Sequence, residues 1–217
     1  MITPSLNVAV SSGQPSLEIR WIRAGELDPR IVERLERFPA IVESRGDDYL
    51  ISPDLDRLSV KIRGGSALEV KVYGGGLGVL DVPGHARGLM EFWQRWSFPL
   101  GSPVPGSGAA ATWRPVHKVR RMSFFSLEND QVSARVPGPQ QGPGCTVELT
   151  EVTMHGQSWW TLGFEATGPV VGLQSLIEET AALVFDHTVA DGLELKEEDS
   201  GSYAHWLRDR VRSDDNG

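Results

Sequence analysis

The stretch Leu58 to Tyr73, LSVKIRGGSALEVKVY, constrains this chain more than any other. On its first limb Lys61 and Arg63 leave one face of an extended strand and Val60 and Ile62 the other. On its second limb Glu69 and Lys71 share one face, opposite Leu68, Val70 and Val72. That alternation on either side of Gly64-Gly65-Ser66 predicts a half-buried antiparallel hairpin. Its polar face carries three cations and a carboxylate, where an ordinary solvated face would mix charge with Ser, Thr, Asn and Gln. Such a face suits a highly anionic ligand, held directly or through a metal ion.

A chain of 217 residues can bury a substantial core as one large β-rich domain or two small ones. Its single cysteine, Cys145, allows no internal disulfide, which suits a reducing compartment. The opening residues MITPSLNVAVSSGQPS have neither a basic n-region nor an apolar core. No stretch approaches the ~20 apolar residues of a membrane span. The expectation is a cytoplasmic protein with no membrane partner. The net charge of -8 argues against binding a nucleic-acid polymer, which needs a basic excess. Half of that charge lies in residues 191–217, with eight acids against four bases. Trp113 to Arg121, WRPVHKVRR, instead holds Arg114, Lys118, Arg120 and Arg121 with no acid. Local basic strands in an acidic chain point to a confined anion site.

Residues 1–15 read as a loose lead-in, and Ser16 to Ile22 as a strand with Glu18 and Arg20 on one face. Asp28 and Pro29 are an N-cap and a first helical residue, opening a helix that stops at Pro39. Ile41 to Arg45 and Asp48 to Ile51 read as two short strands around Gly46, with a turn at Pro53-Asp54. Gly74-Gly75-Gly76 lacks the Gly-Lys-Ser/Thr of a phosphate loop and reads as a flexible turn. Gly84 to Trp96 reads as an amphipathic helix with Leu89, Phe92, Trp93 and Trp96 on its apolar flank. A linker at 100–112 divides the domain, expected over 16–213, into two halves. Beyond it, Val116 to Phe124 is a strand repeating the Lys-x-Arg spacing, and Pro137 to Gly144 a loop. Thr146 to Thr153 and Ser158 to Thr167 form a hairpin around His155-Gly156. Val171 to His187 is the longest helix, and SYAHWLRDRVR a short terminal one. Many alternating strands without βαβ spacing predict an antiparallel barrel or a strongly curved sheet.

The polar strand faces gather Glu18, Arg20, Glu43, Arg45, Lys61, Arg63, Glu69, Lys71, Lys118, Arg120, Glu148 and Glu165. Inside a barrel these charges would be desolvated, at a cost met only by mutual pairing or by a ligand. Polyphosphate with a divalent cation suits such a lining, since Lys and Arg bind phosphoryl oxygens and carboxylates hold Mg²⁺ or Mn²⁺. The five histidines have no zinc-ligand spacing.

In order along the chain, SLEIRW, DDYLISPDLDRLSVKIRGGSALEVK, VHKVRR, VELTEV, GFEAT and SYAHWL resemble the CYTH, or triphosphate tunnel metalloenzyme, superfamily. The resemblance spans most of 16–207. It implies an α+β fold: an eight-stranded antiparallel β-barrel, or tunnel, with flanking helices. It also implies hydrolysis of inorganic or thiamine triphosphate, or cyclisation of ATP, with Mg²⁺ or Mn²⁺. Glu18 matches the second acid of the family's Glu-x-Glu-x-Lys and Arg20 its Lys, while Ser16 stands at the first acid. Glu165 matches one acid of a closing Glu-x-Glu pair, with Gly163 at the other. Arg20, Lys61, Arg63, Lys71, Lys118 and Arg120 are then phosphate-binding, and Glu18, Glu69, Glu148 and Glu165 metal-binding. The two missing acids weaken metal binding by charge count. Three functions follow: a metal-dependent triphosphatase, a catalytically silent nucleotide or polyphosphate binder on the same fold, or a lipocalin-like carrier of an apolar ligand. The partner in the first two is a small-molecule triphosphate or nucleotide.

Overall fold

The computed structural model describes residues 13–52, 55, 57–101, 113–128, 131–138, 142–186 and 192–214. Residues 1–12 of the lead-in, the turn at Pro53-Asp54, 102–112 of the linker and 139–141 of the second loop lie outside them.

Among the described residues nine strands and three α-helices follow in the order β1 (Gln14–Ala24), α1 (Pro29–Glu36), β2 (Ala40–Leu50), β3 (Leu58–Arg63), β4 (Ala67–Val82), β5 (Ala86–Pro99), β6 (Trp113–Glu128), β7 (Gln131–Arg135), β8 (Gly144–Met154), β9 (Gln157–Thr167), α2 (Leu173–Val184) and α3 (Tyr203–Asp214). All strand pairings are antiparallel. The order β2-β3-β4-β5-β1-β9-β8-β6 closes on itself through a β2–β6 pairing, and β7 extends from β6 outside the ring. The result is an eight-stranded barrel with no open edge in its wall. Because β1 pairs with β9 and β2 with β6, the two halves of the chain interlock in one wall.

The main apolar core lies outside this barrel. Leu17, Ile19 and Trp21 of β1 and Leu162, Phe164 and Ala166 of β9 point outward, where they meet Leu173, Leu176, Ile177, Ala181 and Val184 of α2. Ile31 and Leu35 of α1 join the same cluster. Helix α1 begins as the sequence predicts, with the Asp28 carboxylate accepting a bond from Arg30 N at 2.9 Å. Covering the outer faces of the strands with apolar residues leaves their charged faces turned inward. Ile177 is fully buried in this layer. Ile177→Val is therefore expected to cost about 0.5–1.5 kcal/mol of unfolding free energy in urea, without changing the m-value.

Four sequence expectations are corrected. Residues 84–96 are not helical; Ala86–Pro99 forms β5, paired along one edge with β4 and along the other with β1. Apolar residues on both faces of this strand blur its period-2 alternation and imitate a helical stripe, and pairing to two neighbours overrides local propensity. Gly74-Gly75-Gly76 is no turn but part of the 16-residue β4, which carries irregularities at Tyr73/Gly75 and Gly76/Val79. A Cβ at Gly74 would lie 2.5 Å from the Phe92 ring, so glycine lets the bulged strand cross that side chain. The two short strands around Gly46 are a single strand, β2, and α3 equals α2 in length at 12 residues. No helix among the described residues is long and apolar enough to cross a membrane.

Candidate functional site

Alternation in the closed wall turns Glu18 and Arg20 of β1, Arg45 of β2, Lys61 and Arg63 of β3, Glu69 and Lys71 of β4, Lys118 and Arg120 of β6, Glu148 of β8 and Glu165 of β9 into one cavity of about 200 Å³. All ten residues expected to bind phosphate or metal line it. Arg95, Glu91 and Trp93 of β5, Tyr49 of β2 and Tyr203 of α3 line it as well. Eight cations from six strands therefore face five lining carboxylates. This is the eight-stranded antiparallel tunnel with flanking helices that the resemblance implies. The inward Lys and Arg side chains of this lining oppose an apolar-ligand carrier.

One end of the tunnel is filled. Tyr49, Val116, Val152, Met154 and Trp159 pack inside it against Leu207, Tyr203 and Trp206 of α3. The Tyr203 ring lies 3.7 Å from Lys118 Nζ and 4.7 Å from the Arg20 guanidinium, forming a floor. Exposure rises toward the other end, from 3% at Lys118 to 39% at Arg63. The cavity is thus a blind pocket with a cationic mouth.

Within it, charges are paired in groups. Asp47, fully buried on β2, reaches Arg45 Nε at 2.8 Å, Lys61 Nζ at 3.4 Å and Lys118 Nζ at 3.6 Å. Burial pushes this carboxyl up, but Lys61, Lys118 and Arg45 outweigh burial and hold it at about 2. Glu69 takes Lys61 at 3.2 Å and Arg63 at 2.9 Å. Burial raises this carboxyl too, and the two cations overcome it and hold the group at about 2. Glu148 binds Arg20 at 3.1 Å, Arg120 through both Nε and Nη2, and the Thr150 hydroxyl at 2.9 Å. Against the upward push of burial, the two guanidinium groups keep its carboxyl well below the usual range. Glu18 accepts from Lys71 Nζ and from Ser16 Oγ, both at 2.6 Å. Burial opposes its ionisation, yet these partners together lower it. Glu165 has looser partners, Arg95 at 3.5 Å and Lys71 at 3.8 Å. Glu43 sits nearby, bridging Arg45 and Arg120.

Lys118 is the deepest cation. It donates to the Tyr49 hydroxyl at 2.6 Å, and burial together with the nearby Lys61 charge lowers its pKa well below that of a free lysine. Burial also raises the Tyr49 and Tyr203 phenols. An arriving anion would meet a floor whose cation is short of compensating charge.

Arg20 shows why Gly163 is glycine. Arg20 lies opposite Gly163, and Gly163 opposite Glu148, across β1, β9 and β8. The guanidinium extends over Gly163 to reach Glu148 and the Thr161 hydroxyl, and a Cβ at Gly163 would lie 2.7 Å from Arg20 Cζ. The position expected to have lost an acid is occupied from across the sheet by a cation. Ser16, at the other such position, is buried and serves as a donor to Glu18.

The four carboxylates expected to hold a divalent ion do not form one cluster. Glu18 and Glu165 face each other across β1 and β9, while Glu69 and Glu148 hold separate sets of cations. Among the described residues no group of three or more His, Cys, Asp or Glu side chains is placed to hold a metal ion. The residues present do not fit such an ion.

Sequence reasoning missed Asp47, Tyr49, Glu91, Trp93 and Arg95. Parity could have found the first two, because Glu43, Arg45, Asp47 and Tyr49 alternate without a break once Gly46 is read as part of the strand. Counting by two from Leu89 would have found the other three.

No protein-family model matches the chain, and no curated protein matches it. Among solved structures it is similar to the Mimivirus capping enzyme triphosphatase, at 12% identity and a TM-score of 0.45, over 81% of this chain and 92% of that one. It is also similar to the S. pombe Pct1 RNA triphosphatase in complex with the Spt5 CTD, at 12% identity and a TM-score of 0.38, over 93% and 84%. Likenesses this distant decide nothing about function, and the assignment of the tunnel rests on the strand pairing and lining described above.

Proposed function

We propose that the tunnel binds the phosphate chain of a small triphosphate-bearing molecule, inorganic triphosphate or a nucleotide, end-on through its cationic mouth. The observation that carries this reading is the convergence of eight cationic side chains from six strands on one blind cavity. Guanidinium and ammonium groups are matched to phosphoryl oxygens. At about 200 Å³ the cavity is smaller than the ~300–1,000 Å³ of pockets that enclose drug-sized ligands. It takes a compact anion whole, or the phosphate chain of a nucleotide with sugar and base outside. Arg20, Lys61, Arg63, Lys71, Lys118 and Arg120 are the phosphate-binding set, with Arg95 added at the mouth.

Binding is the primary role, because most of the lining carboxylates are held tightly by cations. Hydrolysis is the second reading, and Glu165 favours it. Its ion pairs, at 3.5 and 3.8 Å, leave it the freest carboxylate to orient a water against the terminal phosphorus.

Thermal denaturation with triphosphate, ATP and sulfate at low salt tests the site. Triphosphate at about a hundredfold excess over its Kd is expected to stabilise by roughly 2.7 kcal/mol, a rise in Tm of several degrees, with sulfate far less effective. No shift with any of them at millimolar concentration would remove the anion site. Phosphate release at ordinary rates of ~1 to ~1000 per second would promote the second reading.

A further inference from the structure

The interior register places Glu18 opposite Glu91 on β5 and opposite Glu165 on β9, so three carboxylates stand in one row across adjacent strands. Directly opposed residues have Cβ atoms about 5 Å apart, and like charges there repel. Such a row demands a cation. One is already built in: Lys71 reaches from β4 to place its ammonium 2.6 Å from Glu18 Oε1 and 3.8 Å from Glu165 Oε2. The Ser16 hydroxyl donates to the same Glu18 oxygen at 2.6 Å. Arg95 faces the other Glu165 oxygen at 3.5 Å. Trp93 Nε1 and His205 Nδ1 take the two oxygens of Glu91, at 3.2 and 3.4 Å.

We propose that Lys71 is the fixed counter-ion of this carboxylate row and stands where a divalent ion would otherwise sit, so that the tunnel takes its phosphate chain without a metal. The second clause rests on the polyphosphate reading above; the first does not. A divalent ion would have to share its oxygens with the ammonium or expel it, and two cations between the same carboxylates repel. An ammonium has three donors. One donates to Glu18 at 2.6 Å, and Glu165 at 3.8 Å is met by charge alone, which leaves donors for a phosphoryl oxygen and links carboxylate row and substrate through one side chain.

The test uses Mn²⁺ as probe, with free ion measured by electron paramagnetic resonance and binding by titration calorimetry, in the absence of any phosphate. The wild-type protein is expected to bind Mn²⁺ no tighter than ~1 mM, the weak end of protein cation sites. Lys71→Gln and Lys71→Met are expected to bind it at least about tenfold tighter, and Mn²⁺ should raise their Tm but not that of the wild type. In a second arm, the wild type is expected to bind triphosphate in EDTA. Tight Mn²⁺ binding by the wild type, or no gain in a variant that is folded by circular dichroism, overturns the role of Lys71. Triphosphate binding that EDTA abolishes overturns metal-free binding. Absence of triphosphate binding with and without metal defeats the polyphosphate reading instead, while the Mn²⁺ contrast still decides Lys71. Should neither variant fold, the wild-type arms alone decide.

Discussion

Asp47→Asn is expected to lower unfolding free energy by about 3–5 kcal/mol, the usual result of removing one partner from a buried ionic group. The Asp47 side chain has no solvent exposure and compensates Arg45, Lys61 and Lys118 together. Asparagine keeps the shape and an acceptor for Gly64 N, but leaves three cations short of charge. The penalty should depend on pH in one direction. With a folded pKa of about 2 against an ordinary 3.8, the carboxylate contributes fully above about pH 5. Its contribution, about 2–3 kcal/mol for a shift of this size, is lost as pH falls through 4 toward 2. Urea unfolding of both proteins at pH 7 and pH 3 should show the gap narrowing at the lower pH. A gap that stays constant would mean that the substitution costs packing and not charge. Because Asp47 and Glu69 share Lys61, the double variant with Glu69→Gln strips that ammonium of both carboxylates and should cost more than the sum of the two single changes.

Gly163→Val should likewise cost about 3–5 kcal/mol, although valine is the better strand former and propensity alone would make the change favourable. The added Cβ would fall on the Arg20 guanidinium and force it away from Glu148 and Thr161. Arg20 would then lose its buried carboxylate, and Glu148 would retain Arg120 as its one close cation beside the Thr150 hydroxyl. The check is a double-mutant cycle with Arg20→Met. If the guanidinium is what valine displaces, most of the cost should vanish in the Arg20→Met background. Should the cost persist there, Gly163 matters for the backbone of β9 and not for the room it leaves to Arg20.

Local order was legible wherever one face of an element is apolar and the other charged. The hairpin from Leu58 to Tyr73, the Asp28-Pro29 start of α1 and the hairpin around His155-Gly156 follow from period and turn chemistry alone, and the structure has them at those places. The inward direction of Lys61, Arg63, Lys71, Lys118 and Arg120 was also implicit, because parity assigns each to the face opposite its apolar neighbours. Parity failed where the pattern offered no contrast. β5 is covered on both sides, so Glu91, Trp93 and Arg95 were hidden within an apparent helix. Gly46 and Gly74 to Gly76 looked like chain breaks, yet they sit within strands whose neighbours supply the missing hydrogen bonds.

What only the tertiary structure decided is pairing across the barrel. Sequence spacing shows that Glu18 is charged and inward, but not that Lys71, two strands away, neutralises it. It shows a missing acid at Gly163, but not that Arg20 fills the space. It leaves the C-terminal helix a generic amphipathic segment, whereas the fold brings Tyr203 over Lys118 and Arg20 and makes a blind pocket of a tunnel. The physical reason is one of range. Side-chain period is written in neighbouring residues, while the choice of counter-ion is made by strand register and closure, which bring together residues 53, 128 and more positions apart.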